Sequence, residues 1–272
     1  MYQETEPAAR ATGETRPGVD NTDWLKTVSI ILVAVDHFGY FFVENDQWWS
    51  VFGRLAAPTF FFLLGYAASR HVPVYWIVLG AVLTLLDSSN NDWTWVAPNI
   101  LLSFALIRFA RPAVLYVIDR HAWASVVGLS LALVAAAPFS TQMVEYGTAG
   151  WLWALLGVCR RSAVDGMSID AAGTSATSGG IIPLVAVTTA GVYLWQEQKA
   201  YAFTDVQFTV FAMGTCALTI VLVIYRRGKS PVQPPASVAT VLRFVGRRTL
   251  EIYALQLAGS ELLIKLMPDL AP

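Results

Sequence analysis

Nine long apolar runs, separated by short polar stretches, leave this chain few ways to fold. They lie at roughly 24–43, 53–69, 72–87, 95–109, 121–138, 145–159, 180–196, 205–225 and 248–267. Strands of a membrane barrel are about ten residues of alternating character, which these runs are not. A helix satisfies its own backbone donors and acceptors in lipid, so each run reads as a helix. Only 14% of the 272 residues are charged and 56% are apolar. A soluble domain carries about 25% charge. The expected class is therefore all-α: a polytopic transmembrane helical bundle of about nine spans, with eight to ten in range. Several runs fall short of the roughly 20 residues that a crossing needs, and 72–87, 95–109 and 145–159 are the weakest. The run at 95–109 has room to continue through Arg111 and Pro112 to Ile118.

Positive charge sets the expected orientation. With the N-terminus cytoplasmic, nine spans put 15 of the 18 Lys and Arg residues on the inner side and only Arg54, Lys199 and Lys265 near the outer side. That asymmetry follows the positive-inside rule and predicts a multi-pass protein of the cytoplasmic (inner) membrane. Residues 1–22 read as a flexible tail and 23–267 as a single transmembrane domain. Two stretches, 162–179 and 228–240, read as cytoplasmic linkers, the first rich in small residues and the second carrying Pro231, Pro234 and Pro235. A net charge of -1 gives no bulk attraction to nucleic acid. Cys159 and Cys216 each sit in an apolar run and read as buried small hydrophobes.

The unusual residues are ionisable groups inside these runs. Asp36 and His37 lie 12 and 13 residues past Trp24, about 18–20 Å along a helix axis. Such residues are costly in a span unless paired or wetted, and they usually face a cavity. The first reading is a functional site; the plainer one is a polar contact between helices. His37 shares a helix face with Val33 and Phe41. Arg54 opens the second run, and a short loop makes the first two helices antiparallel neighbours, so Arg54 comes level with the pair. An Asp-Arg pair beside a neutral His is a sensible group for proton transfer; the plainer alternative has Arg54 snorkelling to headgroups. Near the other end of the chain, Arg247 and Arg248 join Arg108, Arg111, Arg70, Arg160 and Arg161 on a basic inner face. Anionic lipid accounts for such a face; a phosphate-bearing cofactor is the sharper reading.

There is no Walker loop, and the three histidines, His37, His71 and His121, are far apart in the chain. Neither an ATP-driven pump nor a metal site is expected.

Two segments carry a family resemblance. One runs from Asp23-Trp24-Leu25-Lys26 to Asp36-His37 and on to Gly53-Arg54-Leu55-Ala56-Ala57-Pro58 and Phe60 to Tyr66. The other is Val245-Gly246-Arg247-Arg248-Thr249-Leu250-Glu251-Ile252-Tyr253. Together they resemble the TraX-type membrane proteins, relatives of the acetylase of F-type pilin. These sit among the wider transmembrane acyltransferases that acetylate surface glycans.

The resemblance implies an acyltransferase. It would move an acetyl (acyl) group from cytoplasmic acetyl-CoA to an acceptor at the outer face: a glycan, a lipid headgroup or a peptide N-terminus. It implies His37 as catalytic residue, with Asp36 orienting it or fixing Arg54. Arg54 would then stabilise an oxyanion or grip the acceptor. Arg247, Arg248, Arg108 and Arg111 are the candidates for the cofactor phosphates. Direct transfer and an acetyl-imidazole intermediate both remain open. The chain departs from the pattern at Gln256, where relatives often carry a histidine; glutamine cannot carry a proton in that way. Without the resemblance, a proton-coupled transporter or exporter of a lipid-linked or glycan substrate fits the same buried groups.

Overall fold

The computed structural model describes residues 18–43, 46–67, 69, 71–90, 95–164 and 178–267, with no side-chain description at 90, 119–122, 178 and 179. Within them the chain forms ten helices: α1 Asn21–Phe42, α2 Trp48–Gly53, α3 Ala56–Tyr66, α4 Val74–Asn90, α5 Ile100–Ser140, α6 Gly147–Val164, α7 Ser178–Tyr201, α8 Asp205–Ile224, α9 Ala236–Arg247 and α10 Thr249–Leu266. The all-α class stands. Residues 1–17 of the expected tail and 165–177 of the first expected linker lie outside the described residues.

The expected nine spans are corrected by the structure. Among the described residues, four segments are long and apolar enough to cross a membrane: Asn21–Phe42, Ile100–Ile118, Trp123–Ser140 and Asp205–Ile224, with Val74–Ser89 a shorter apolar helix. These four make the chain a multi-pass membrane protein by length and composition. The other apolar runs are cut short or diluted, and the causes are local. In the run at 53–69, α2 ends at Gly53 and only the 11-residue α3 follows the break at Arg54 and Leu55, about 16 Å long at 1.5 Å per residue. Three charges, Glu251, Glu261 and Lys265, interrupt α10. The central helix α6 buries most of its residues against protein, Trp153, Leu152 and Leu156 among them, so its apolar character serves the core.

Two of the four crossing segments belong to one helix. Ser125 Oγ donates to the Val117 carbonyl at 3.0 Å, yet residues eight apart in a straight helix are about 12 Å apart. The helix therefore turns back between these residues. Its two ends meet again at one end of the bundle: Trp95 Nε1 donates to the Gln142 carbonyl at 2.9 Å and Glu145 N to the Pro98 carbonyl at 3.2 Å.

The N-terminal end of α1 is firmly capped. Asp20 and Asp23 form a reciprocal capping box. Asn21 N donates to the Gly228 carbonyl and Ser230 N to the Val19 carbonyl, both at 3.0 Å. The chain after α8 is thereby tied to the start of α1, and α9 follows from Ala236. Arg160 donates to the Tyr225 and Ile224 carbonyls at 2.9 and 3.1 Å, covering the open carbonyls at the end of α8. Cys159 is buried, whereas Cys216 is exposed on α8, contrary to the expectation that both are inside.

The closest helix pair is α3 with α6, and glycine makes it possible. A Cβ on Gly65 would stand 1.9 Å from the Ala154 carbonyl oxygen, and one on Gly157 2.1 Å from that of Phe62. Small residues let helix backbones touch in this way. Gly157→Val is expected to lower the melting temperature sharply or abolish recovery of folded protein in detergent. Gly128→Ala, whose added methyl meets nothing within 4 Å, is expected to leave the melting curve unchanged.

Candidate functional site

Two cavities lie end to end inside the bundle. The first, about 280 Å³, is lined by Asp36, His37, Arg54, Asn99, Glu145, Tyr146 and Tyr253 among others. The second, about 330 Å³, is lined by Lys26, Tyr66, Trp76, Arg108, Arg227 and Arg247 among others. Phe60, Phe104 and Leu250 line both, so these three side chains are the wall between them.

The first cavity is built around a buried ion pair. Asp36 sits on the inward face of α1, pressed against α2: a Cβ on Gly53 would fall 2.2 Å from the Asp36 Cβ. Arg54 follows directly and brings its Nε to 3.4 Å from Asp36 Oδ2. Its Nη1 donates to the Tyr146 hydroxyl at 2.8 Å. The guanidinium also lies over the rings of Tyr201 and Tyr146, at 4.8 and 5.4 Å from their centroids. The Tyr193 hydroxyl holds the Arg54 carbonyl at 2.5 Å. Tyr146 reaches this position through a left-handed backbone, with φ of 62°, followed by Gly147 at 45°.

His37 lies half-buried on the next face of α1, its ring 5.6 Å from Tyr253 and 6.2 Å from Phe41 between centroids. Its Nδ1 is buried and has no hydrogen-bond partner among the described residues. Asp36 thus pairs with Arg54 and not with the His37 Nδ1.

The N-terminus of α5 forms the facing wall. Asn99 caps it, its side chain accepting from Leu101 N at 3.1 Å. Glu145 Oε2 accepts from Ile100 N at 2.7 Å, where a carboxylate suits the positive end of a helix. Asp87 and Glu261 line the same cavity, which gives it an acidic character around one guanidinium.

The second cavity opens among basic residues. Lys26 Nζ donates to the Gly246 carbonyl at 3.0 Å, holding α1 against the α9–α10 junction. Arg108 donates to the His71 carbonyl at 3.2 Å and stacks over Trp76 at 4.5 Å.

Of the residues expected from sequence, the structure brings Asp36, His37 and Arg54 together, and it places Arg108 and Arg247 on the second cavity. It does not bring Arg111 or Arg248 there. Arg111 is buried and donates to the Gly65 carbonyl at 3.3 Å. Arg248 faces outward, 3.5 Å from Glu251. Arg70 lies outside the described residues, and Gln256 lines neither cavity. Sequence reasoning missed Lys26 and Arg227 as cavity residues, along with Asn99. The Pro98-Asn99 pair before an apolar run is a recognisable helix start.

The TraX protein family model matches residues 21–225, which carry most of both cavities. The chain belongs to the TraX family. Protein TraX of Escherichia coli is 27% identical over 135 residues, which cover 48% of this chain and 52% of that protein. The chain thus spans about half the length of this curated TraX relative. No solved structure matches it. The α9–α10 segment, with Arg247 and Tyr253, lies beyond the stretch that the TraX model covers.

Breaking a buried ion pair from one side leaves an uncompensated charge and costs about 3–5 kcal/mol. Asp36→Asn and Arg54→Gln are each expected to lower the melting temperature in detergent. The double variant is expected to recover part of the loss, because it removes both charges. Strict additivity of the two shifts would contradict the pairing.

Proposed function

We propose that the protein is an integral membrane acyltransferase that takes an acetyl group from acyl-CoA at its basic end and passes it to an acceptor at its acidic end. The observation that carries this reading is the pair of cavities meeting at Phe60, Phe104 and Leu250, with cationic side chains around one and His37 in the other. Membership of the TraX family supports it.

Lys26, Arg108, Arg227 and Arg247 supply the charge that phosphate groups need. Lys26 and His37 are eleven residues apart on one helix, about 16 Å along its axis. An extended pantetheine arm covers that span, so a thioester held by its phosphates at one end reaches His37 at the other. The His37 imidazole then takes the proton of the acceptor as it attacks the acyl carbon. Asp36 acts on Arg54, and the pair sets the shape of the cavity next to His37. Arg111, held by the Gly65 carbonyl, takes no part in holding phosphate.

The basic end faces the cytoplasm in this reading, as the distribution of Lys and Arg favours, in the inner membrane of the cell. Glycan hydroxyls, lipid headgroups and peptide N-termini are the acceptor classes. The carboxyls of Asp87, Glu145 and Glu261 favour a neutral or cationic group over an anionic one.

The test is a titration of detergent-purified protein with acetyl-CoA, following thermal shift and release of free thiol. Saturable binding and turnover are expected for the wild type. His37→Ala should bind as well but turn over about 100-fold or more slowly, the usual scale of general-base loss. Lys26→Ala and Arg247→Ala should weaken binding while leaving the turnover of saturated protein near wild type. A wild type that neither binds nor consumes any acyl-CoA would overturn the proposal and return the chain to the transporter reading.

A further inference from the structure

The direction of one hydrogen-bond chain assigns a role to a residue beside His37. The chain starts at α4, where the Thr84 hydroxyl donates to the Gly80 carbonyl at 2.8 Å. Having given its proton there, Thr84 Oγ1 accepts from Asn99 N at 2.9 Å. The first N–H groups of α5 need acceptors, and Asn99 Oδ1 meets that of Leu101 at 3.1 Å. The orientation of the amide is thereby determined: its oxygen faces the helix and its nitrogen faces the other way. Asn99 Nδ2 donates to the Tyr253 hydroxyl at 3.0 Å, in a buried contact.

A phenol oxygen that accepts one hydrogen bond still has its own proton to give. Among the described residues, no protein acceptor takes that proton. Tyr253 and Asn99 both line the cavity of His37, and the Tyr253 ring is 5.6 Å from the imidazole. An oriented O–H donor with nothing to donate to therefore borders the cavity in which an acyl carbon would react.

We propose that Tyr253 is the oxyanion donor of the acyl transfer, its O–H bonding the thioester carbonyl oxygen as that oxygen becomes negative. The inference rests on the acyltransferase reading above. The lone pair of the acceptor forms a bond to the carbonyl carbon, and the π pair moves onto the oxygen held by Tyr253. His37 takes the proton of the acceptor. The oxyanion then re-forms the C=O bond, the C–S bond breaks, and His37 returns its proton to the departing thiolate. The products are the acylated acceptor and free coenzyme A thiol. Two of the Arg54 nitrogens are turned to other partners, Nη1 to Tyr146 and Nε to Asp36.

Two variants in the full-length protein test the role, with acetyl-CoA as the probe. Tyr253→Phe keeps the ring and removes the donor, and kcat is expected to fall about 100-fold or more, the scale seen when one oxyanion donor is lost. KM for acetyl-CoA and the thermal shift that it produces should stay near wild type. Asn99→Asp keeps a good helix cap but cannot donate to Tyr253; its carboxylate draws the phenol proton away from the cavity. The expected loss in kcat is comparable, again with KM unchanged, which a merely structural role for Tyr253 would not produce. If the wild type turns over acetyl-CoA and Tyr253→Phe retains more than a third of its kcat, the oxyanion role is overturned and the acyltransferase reading stands. If the wild type itself turns over nothing, the acyltransferase reading fails and takes this role with it.

Discussion

A guanidinium buried among helices must be paired, and the arrangement of this protein follows from how Arg54 is paired. Its partners come from far-apart segments: Asp36 on α1, Tyr146 at the entry to α6, and Tyr193 and Tyr201 on α7. Withdrawing a charge from water costs several kcal/mol unless such partners replace the solvent. The demand also shapes the local chain. The stretch from Trp48 to Tyr66 breaks into two helices at Arg54 and Leu55, and the break aims the side chain at Asp36. Gly53 makes room, since a larger residue there would strike Asp36.

The second organising feature is the segregation of charge along the bundle. Lys26, Arg108, Arg160, Arg227 and Arg247 gather where α1 begins and α8 ends. Asp36, Asp87, Glu145 and Glu261 gather around the other cavity. An apolar wall of Phe60, Phe104 and Leu250 divides the two regions. A substrate with a phosphorylated end and a reactive end matches that division, which is why the cavities carry the functional reading further than any single residue does.

Part of this was legible in the sequence. The depth of Asp36 in its run and the short loop before Arg54 put the two level, and they lie 3.4 Å apart. The count of spans was not legible, for a physical reason. Hydropathy treats every apolar run as facing lipid, whereas α6 and α3 are apolar because they pack against each other through Gly65 and Gly157. The runs at 95–109 and 121–138 do correspond to two crossing segments, which are two arms of one helix turned back so that Pro98 meets Glu145. The hydrogen-bond chain from Thr84 through Asn99 to Tyr253 joins three segments far apart in sequence, and no local pattern announces it. Among the arginines, composition alone does not separate Arg247, on the cavity, from Arg248, one residue on and facing outward.

The most direct measurement is a structure of the protein with a non-hydrolysable acetyl-CoA analogue. The account predicts the phosphates among Lys26, Arg108, Arg227 and Arg247, the arm passing the wall at Phe60 and Phe104, and the acyl carbonyl between His37 and Tyr253. An analogue bound with its acyl end away from His37, or bound outside both cavities, would contradict it.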